Sequence, residues 1–319
     1  MKPRFGGEFV YFLVVAMTLL LRISQYMGVD AALGVDLGVH FTLVVQLCCF
    51  GLLPVLGWWI IVGGCRKDEL CTLPRTFGIV KCPKRDFLRV LIITVPLLLI
   101  TGVIANGWYA ILTFTGFESG SSAGNEQTVQ ALVTDIILSA VLPGVFEELT
   151  HRGELLATFR TNGGKAVVMS ALLFALVHQN VVQFAHTLFL GFVLAYIVYC
   201  TRSLLPAVFL HFFNNFISVV SGYDELAPAF GVISGARSWL YGSVAGMFTL
   251  ILLAALSVVL IAVVLRRMRW DAVREGRLRY APFFAAERGT AALSKDILLW
   301  CILAVGVAAT LFTLVWGYI

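Results

Sequence analysis

Ionisable and amide side chains are concentrated in three apolar stretches in the middle of this 319-residue chain. In chain order they are Glu147, Glu148, Arg152, His178, His211 and Asn215. Such groups are costly inside a membrane span and mark function unless they are paired. A carboxylate beside an imidazole is suited to general acid–base chemistry, and two hydrogen-bond donors aimed at one point can stabilise an oxyanion.

Glu147 and His178 are placed symmetrically about a turn sequence at Thr161–Gly164. If two helices flank that turn as an antiparallel hairpin, both side chains lie at one depth, about 20 Å from the turn at 1.5 Å per residue. The spacing therefore predicts an acid–base pair away from bulk water.

The i,i+4 spacing separates the remaining roles. Glu148 and Arg152 share a helix face and predict a structural ion pair, while Glu147 points about 100° away and is left for chemistry. His211 and Asn215 also share a face and present two donors to one point.

Other polar residues are given lesser roles. A lone intramembrane histidine is more often a satisfied hydrogen bond between helices than a catalyst, and His40 and His186 are interpreted as structural for that reason. Asp135 is an acid without an evident partner, which an aqueous vestibule would explain.

Composition defines the elements that must position these groups. Hydrophobic residues make up 60% of the chain and charged residues 13%, whereas soluble domains have about 25% charged residues. A soluble globule is excluded, and the sequence predicts an all-α, polytopic integral membrane protein. The net charge of +5 arises in loops between apolar spans, so it does not indicate nucleic-acid binding.

Apolar stretches long enough to cross a bilayer, which takes about 20 residues, predict nine spans. The boundary between the fifth and sixth, at Asn180–Gln183, is the least marked. The predicted spans are Phe9–Met27, His40–Val62, Phe87–Leu112, Val129–Leu156, Lys165–Gln183, Phe184–Cys200, Leu204–Val220, Trp239–Leu265 and Ile297–Trp316.

Positive charge predicts the orientation of these spans. All but Arg22 and Arg237 of the 23 Lys and Arg residues fall in or beside alternate connections, which predicts a cytosolic N-terminus and a C-terminus on the opposite side. The predicted cytosolic segments are Met1–Glu8, Gly63–Asp86, Thr161–Gly164, Thr201–Ser203 and Arg266–Asp296.

The chain divides into three predicted regions. Residues 1–128 form an N-terminal three-helix region, residues 129–220 the core with spans four to seven, and residues 221–319 a two-helix region with a basic cytosolic loop. In that loop, Arg266, Arg267 and Arg269 favour a lipid-headgroup anchor over a protein-binding site. The segment Gly222–Ser238 is expected to be an interfacial helix or a lid. Cys65, Cys71 and Cys82 share one loop but fit no zinc spacing, which favours reduced cytosolic thiols.

Three motifs carry a family resemblance. Glu147-Glu148-x-x-x-Arg152, Phe174-x-x-x-His178 and His211-x-x-x-Asn215 resemble, in this order and each in its own span, the motifs of the CPBP family. This family groups type II CAAX prenyl endopeptidases with bacterial Abi and bacteriocin-immunity membrane proteases. The resemblance covers residues 129–220, under a third of the chain.

The resemblance implies an intramembrane endopeptidase with a cavity open toward the cytosol. Glu147 and His178 would activate the attacking water as general bases, and His211 and Asn215 would bind the oxyanion. Glu148 with Arg152 would orient the first motif. The substrate would be a prenylated CAAX protein or another peptide or lipidated precursor within membrane lipids.

Two questions stay open on the sequence alone. Glu147, His178 and His211 could supply three ligands to a zinc ion, although the sequence has no His-Glu-x-x-His helix and favours a metal-free, glutamate-activated water. The alternatives to a protease are a transporter with a polar central site and a catalytically silent scaffold. Against a transporter, the polar residues fall in one contiguous third with no second copy.

Overall fold

The computed structural model describes residues 3–28, 42–63, 77–118, 127–226, 228–287 and 292–316. Within these ranges the chain forms helices and no strand, which confirms the all-α prediction. The main helices are α1 (Pro3–Tyr26), α2 (Thr42–Ile60), α3 (Lys84–Phe114), α4 (Val129–Asn162), α5 (Gly164–Val177), α6 (Val181–Thr201), α7 (Leu205–Val220), α8 (Pro228–Gly242), α9 (Val244–Arg274) and α10 (Ile297–Trp316).

In the described part of the chain, seven helices are long and apolar enough to cross a membrane: α1 to α4, α6, α9 and α10. A polytopic membrane protein is thus confirmed. The fifth and seventh predicted spans correspond to α5 and α7, which have only 14 and 16 residues. At 1.5 Å per residue these helices measure about 21 and 24 Å, less than the roughly 30 Å of a hydrocarbon core.

Helix α5 is short because the chain turns directly after it. Gln179 adopts a left-handed backbone conformation (φ 48°), and the side chain of Asn180 caps α6 by accepting from the backbone N–H of Val182 at 2.9 Å. The predicted end of the fifth span at Gln183 is therefore wrong, and His178 lies at the end of a helix rather than inside one.

The basic connections meet at one end of the bundle, which we call the basic face and define by residues 77–86, 160–165, 201–204 and 266–287. Backbone hydrogen bonds join these segments: Leu204 N–H to Gly78 O at 2.8 Å, Gly164 N–H to Phe283 O at 2.6 Å, and Glu287 N–H to Thr161 O at 2.8 Å. The structure thus brings together four of the segments that charge had assigned to one side.

Buried charge also ties α3 to α9 at the basic face. Asp86 is fully buried and accepts from Arg89 and Arg277, each at 2.9 Å, and Arg89 also donates to Asp271 at 2.7 Å. Such a network is strongly destabilised by loss of one member, because the others then remain buried and uncompensated.

Helix α4 carries both motif glutamates and departs from regular α-helical geometry on either side of them. Ile137–Val141 and Leu149–Leu155 form π-helical turns, with the α-helical segment Leu142–Glu148 between them. Turns of this type change which face the following residues occupy and are frequent at functional sites.

Helices α4 and α7 approach closely beside the glutamates. A Cβ added to Gly144 would lie 3.1 Å from the backbone of Phe212, tighter than an ordinary van der Waals contact, so glycine permits this close approach. This contact places His211 next to the α4 carboxylates.

Candidate active site

The two carboxylate oxygens of Glu147 have different surroundings. Oε1 accepts a 2.7 Å hydrogen bond from the side-chain amide of Gln46 on α2. Oε2 is buried without a hydrogen-bond partner among the described residues and lies 3.9 Å from Nε2 of His178. The hairpin thus brings Glu147 and His178 together at one depth, as their symmetric spacing predicted.

The ring of His178 is held in one orientation. Its Nδ1 lies 2.7 Å from the backbone carbonyl of Phe174, a contact in which Nδ1 must carry the hydrogen. In the neutral ring Nε2 then carries the lone pair and faces Oε2 of Glu147. Two acceptors 3.9 Å apart can both be satisfied by one small molecule that donates two hydrogens, and water is such a molecule.

Glu147 and His178 line a cavity of about 290 Å³ between α1, α2, α4 and the turn that follows α5. Arg22 also lines it and donates to the carbonyl of His178 at 3.4 Å. Arg22, Thr42 and Asn180 are partly exposed and Gln183 is exposed, so these residues form the outer rim. The cavity is thus a polar chamber with the paired acceptors in its wall.

The cavity lies at the far end of α5 from the basic face. Helix α5 starts at Gly164 on that face and ends at Val177 in the cavity wall, while Thr42 belongs to the first turn of α2. The resemblance predicted a cavity open to the cytosol, and charge predicted a cytosolic basic face. Since the two features lie at opposite ends of α5, these two predictions conflict.

Glu148 forms a second, separate cluster. Fully buried, it accepts from Arg152 at 2.6 Å and from Nδ1 of His211 at 2.9 Å through the same oxygen. Arg152 also donates to the carbonyl of Gly191 on α6 at 3.2 Å. The Glu148–Arg152 ion pair is therefore present as the spacing predicted, and it fastens α4 to α6 and α7.

The ring of Phe174 is the shared wall of both clusters. It makes edge-on contacts with His178, His211 and His151, at centroid distances of 4.9, 5.6 and 5.0 Å, and the guanidinium carbon of Arg152 lies 4.2 Å from its centroid. Phe174 is 1% exposed. This apolar ring keeps the histidines apart and limits their rotation.

His211 and Asn215 lie beside the chamber and make hydrogen bonds of their own. Neither side chain lines the cavity that Glu147 and His178 share. Nδ1 of His211 donates its hydrogen to Glu148, and Oδ1 of Asn215 accepts from Asn214 at 3.2 Å. Nε2 of His211 is the atom left to face a substrate, and it donates only when the ring is protonated.

The suggested zinc ligands do not form a metal site as arranged. His211 is turned to Glu148 through Nδ1, whereas His178 faces Glu147. No three His, Cys, Asp or Glu side chains in the described ranges lie close enough together to hold a metal ion. Of the three loop cysteines only Cys82 is described, and burial raises the pKa of its thiol to about 11.

Several residues of the site had not been singled out from the sequence. Gln46 is the only amide in the apolar stretch of α2, which was the available signal. His151 hydrogen-bonds the carbonyl of Glu147 at 2.7 Å through Nδ1, and the hydroxyl of Tyr11 lies 3.1 Å from its Nε2. Fully buried, Tyr11 and His151 support the backbone that presents Glu147.

The turn after α5 is held by side chains from three other helices. Trp108 on α3 donates to the carbonyl of Val181 at 2.7 Å, and Thr313 on α10 accepts from the N–H of Val181 at 3.0 Å. Gln179 donates to Thr18 on α1 at 3.3 Å. Because backbone groups inside a membrane must find protein partners, these contacts make an irregular turn possible there.

Asp135 and His186, which were assigned lesser roles, do not line this chamber. Asp135 accepts a 2.6 Å hydrogen bond from Tyr223, so it has a structural partner. His186 does not line the cavity, and His40 lies outside the described residues. Within Gly222–Ser238, the helix α8 begins at Pro228, and Arg237 ties it to Asn106 of α3 at 3.1 Å.

Comparison with known proteins supports the resemblance. Residues 129–217 match the sequence model of the family described as Type II CAAX prenyl endopeptidase Rce1-like. This segment runs from the start of α4 into α7 and contains all three motifs. No curated protein and no solved structure matches the chain. The CPBP resemblance drawn from the motifs is therefore confirmed for this segment.

Proposed function

We propose that this protein is an intramembrane endopeptidase that hydrolyses a peptide bond with a water activated by Glu147 and His178. The observation that carries the proposal is the buried, unpartnered Oε2 of Glu147, which faces Nε2 of His178 at 3.9 Å in the wall of a polar cavity. The match to the Rce1-like family supports membrane protease activity of the CAAX type.

The proposed reaction begins with a water that donates one hydrogen to each of these acceptors. As the water oxygen attacks the carbonyl carbon, its proton passes to Oε2 of Glu147 and the carbonyl π electrons move to the oxygen. When the tetrahedral intermediate collapses, the C–N bond breaks and Glu147 returns the proton to the leaving amine. His178 positions the water throughout, because its Nδ1 is fixed on Phe174.

Gln46 and the Glu148 cluster have positioning roles in this proposal. Gln46 holds Oε1 of Glu147, so that Oε2 points toward His178. Glu148, bound to Arg152 and His211, fixes α4 against α7. Stabilisation of the oxyanion by His211 and Asn215 is proposed on the family motif. It requires Nε2 of His211 to carry a hydrogen.

The substrate proposed is a lipidated or precursor peptide that enters from the membrane. A prenylated CAAX peptide is the first candidate, since the matched family is named for that activity. The test is cleavage by the full-length protein purified in detergent, with a farnesylated CAAX peptide and its unprenylated counterpart as substrates.

Glu147→Gln is the decisive variant, because glutamine preserves size and can still accept from Gln46 but cannot take a proton. We expect at least a 100-fold loss of kcat, the scale expected for removal of a general base. The matched control is Glu154→Gln, a buried glutamate on the same helix that does not line the cavity. Equal activity of Glu147→Gln and wild type would overturn the mechanism. A folded wild type that cleaves neither peptide would favour the scaffold alternative or a different peptide substrate.

A further inference from the structure

A second, larger cavity lies at the basic face, between α6, α9 and the loop that follows α9. Its volume is about 890 Å³, and its walls are mainly aliphatic and aromatic. Phe189 and Phe192 of α6 face Val258 and Ile261 of α9 across it. None of the motif residues of the candidate active site lines this cavity.

A polar cavity of about 380 Å³ adjoins the apolar one. The two share part of their walls, including Arg269 and Tyr280. Arg160, Arg202 and Arg279 complete the cationic lining, and Glu287 is the one acid among its lining residues. The pair of cavities therefore has an apolar end between helices and a strongly cationic end at the basic face.

The four guanidinium groups are not neutralised by protein carboxylates. In the described part of the chain none of them forms an ion pair. Arg202 donates to the carbonyl of Arg277 at 3.0 Å, and its Nη1 is buried with no hydrogen-bond partner. Arg269 donates to the carbonyl of Ala281 at 2.8 Å. Clustered guanidinium groups with unused N–H donors are typical of an anion-binding site. The paired N–H groups of a guanidinium also match the spacing of phosphate oxygens.

The aromatic residues indicate where this site lies in the bilayer. Trp270 and Tyr280 line the apolar cavity beside Arg266 and Arg269, at the end of the membrane-spanning helix α9. Trp, Tyr and Arg in this position are typical of the lipid headgroup level. The cationic end is therefore at the depth of lipid phosphates and the apolar end at the depth of acyl chains.

We infer that this double cavity binds one anionic phospholipid, with its phosphate among Arg160, Arg202, Arg269 and Arg279 and its acyl chains between α6 and α9. An anionic lipid is favoured over a zwitterionic one, because the cavity has four cations for one acid and would not favour a choline headgroup. The inference does not depend on peptidase activity.

The test is native mass spectrometry of the full-length protein in detergent, titrated with phosphatidylglycerol or with phosphatidylcholine of the same acyl chains. We expect phosphatidylglycerol to bind at least about tenfold more tightly. The double substitution Arg160→Gln/Arg279→Gln should remove that preference. Arg267→Gln should keep it, since Arg267 is exposed on α9 and lines neither cavity.

Further arms separate the lipid from other occupants. If the double variant fails to fold, the single variant Arg279→Gln replaces it, because this side chain is exposed. Its loss should still weaken phosphatidylglycerol binding severalfold. Equal binding of the two lipids, or an unchanged preference in the folded variants, would overturn the inference. If millimolar inorganic phosphate displaces phosphatidylglycerol, the site recognises a free anion and not a lipid. Displacement by the farnesylated peptide would assign the apolar cavity to the substrate instead.

Discussion

The side-chain amide of Gln46 donates a 2.7 Å hydrogen bond to Oε1 of Glu147, across the interface between α2 and α4. This contact leaves only the other carboxylate oxygen facing His178. It also connects the N-terminal helices to the motif-bearing core, although α2 lies outside the segment matched by the family. The chamber is therefore built by two parts of the chain.

The first prediction concerns Gln46. We expect Gln46→Leu to lower kcat about 10- to 100-fold, because the carboxylate loses a charge-assisted hydrogen bond and can rotate away from His178. KM should change much less, since Gln46 acts by positioning the carboxylate of Glu147. Steady-state cleavage of the same peptide measures both constants. Cys48→Ala, at an exposed position of the same helix, is the control. An unchanged kcat would show that Glu147 needs no such support.

The second prediction separates the neighbouring glutamates. Glu148→Gln should lower the free energy of unfolding by about 3 kcal/mol or more, because Arg152 remains buried without its counter-charge. Glu147→Gln should leave the melting temperature close to that of wild type while abolishing activity. Thermal unfolding in detergent, followed by the monodisperse fraction after heating, compares the two. Equal stability of the variants would mean that the Glu148 ion pair contributes little.

These two glutamates show which contacts of the site can be predicted from the sequence. Helical spacing alone predicted the Glu148–Arg152 pair, and symmetry about the Thr161–Gly164 turn predicted the meeting of Glu147 with His178. Both contacts form although the π-helical turn Leu149–Leu155 departs from the regular geometry that the predictions used. The His211–Glu148 bond depends on how α7 crosses α4, which the close contact at Gly144 determines. Periodicity within one helix carries no information about such a crossing.

The end of α5 was mispredicted for a related reason. The polar break at His178–Gln183 contains Val181 and Val182 and is followed at once by the apolar sequence from Phe184, so the sequence does not show that the helix ends before Gln179. The chain can turn at Gln179 because Trp108, Thr18 and Thr313 supply hydrogen bonds from three distant helices. Only the tertiary structure reveals those partners.

The third prediction concerns this turn. Asn180→Ala removes the cap of α6 and should destabilise the protein by about 1 kcal/mol, whereas Asn180→Ser should restore most of that loss. Because His178 is two residues away, cleavage by the alanine variant should fall as well. Melting temperature and kcat measured on all three proteins provide the check. If serine and alanine behave alike, the cap has no part in holding the turn.

The fourth prediction concerns metal. With a glutamate-activated water, peptide cleavage by wild type should persist after prolonged treatment with EDTA or 1,10-phenanthroline. The placement of His211 on Glu148 rather than beside Glu147 and His178 motivates this expectation. Metal analysis of the treated protein accompanies the assay and confirms removal. Activity that disappears with the chelator and returns with zinc would contradict the metal-free proposal.

The fifth prediction concerns the two ends of the bundle. In a background without native cysteines, Gln183→Cys at the cavity rim and Glu287→Cys at the basic face should react with a membrane-impermeant maleimide from opposite sides of sealed vesicles. Both positions are exposed, so burial does not limit labelling at either. Labelling of both from one side would contradict the placement of the cavity away from the basic face.

The same labelling experiment decides between the two conflicting expectations of orientation. If the basic face is cytosolic, as the distribution of Lys and Arg predicts, Gln183→Cys reacts in intact cells and the chamber receives its substrate from the non-cytosolic side. If Glu287→Cys reacts in intact cells instead, the chamber opens to the cytosol, as the resemblance implied. A substrate whose scissile bond is cytosolic, such as a CAAX protein, requires the second result. The first would direct the search toward peptides that are cleaved after crossing the membrane.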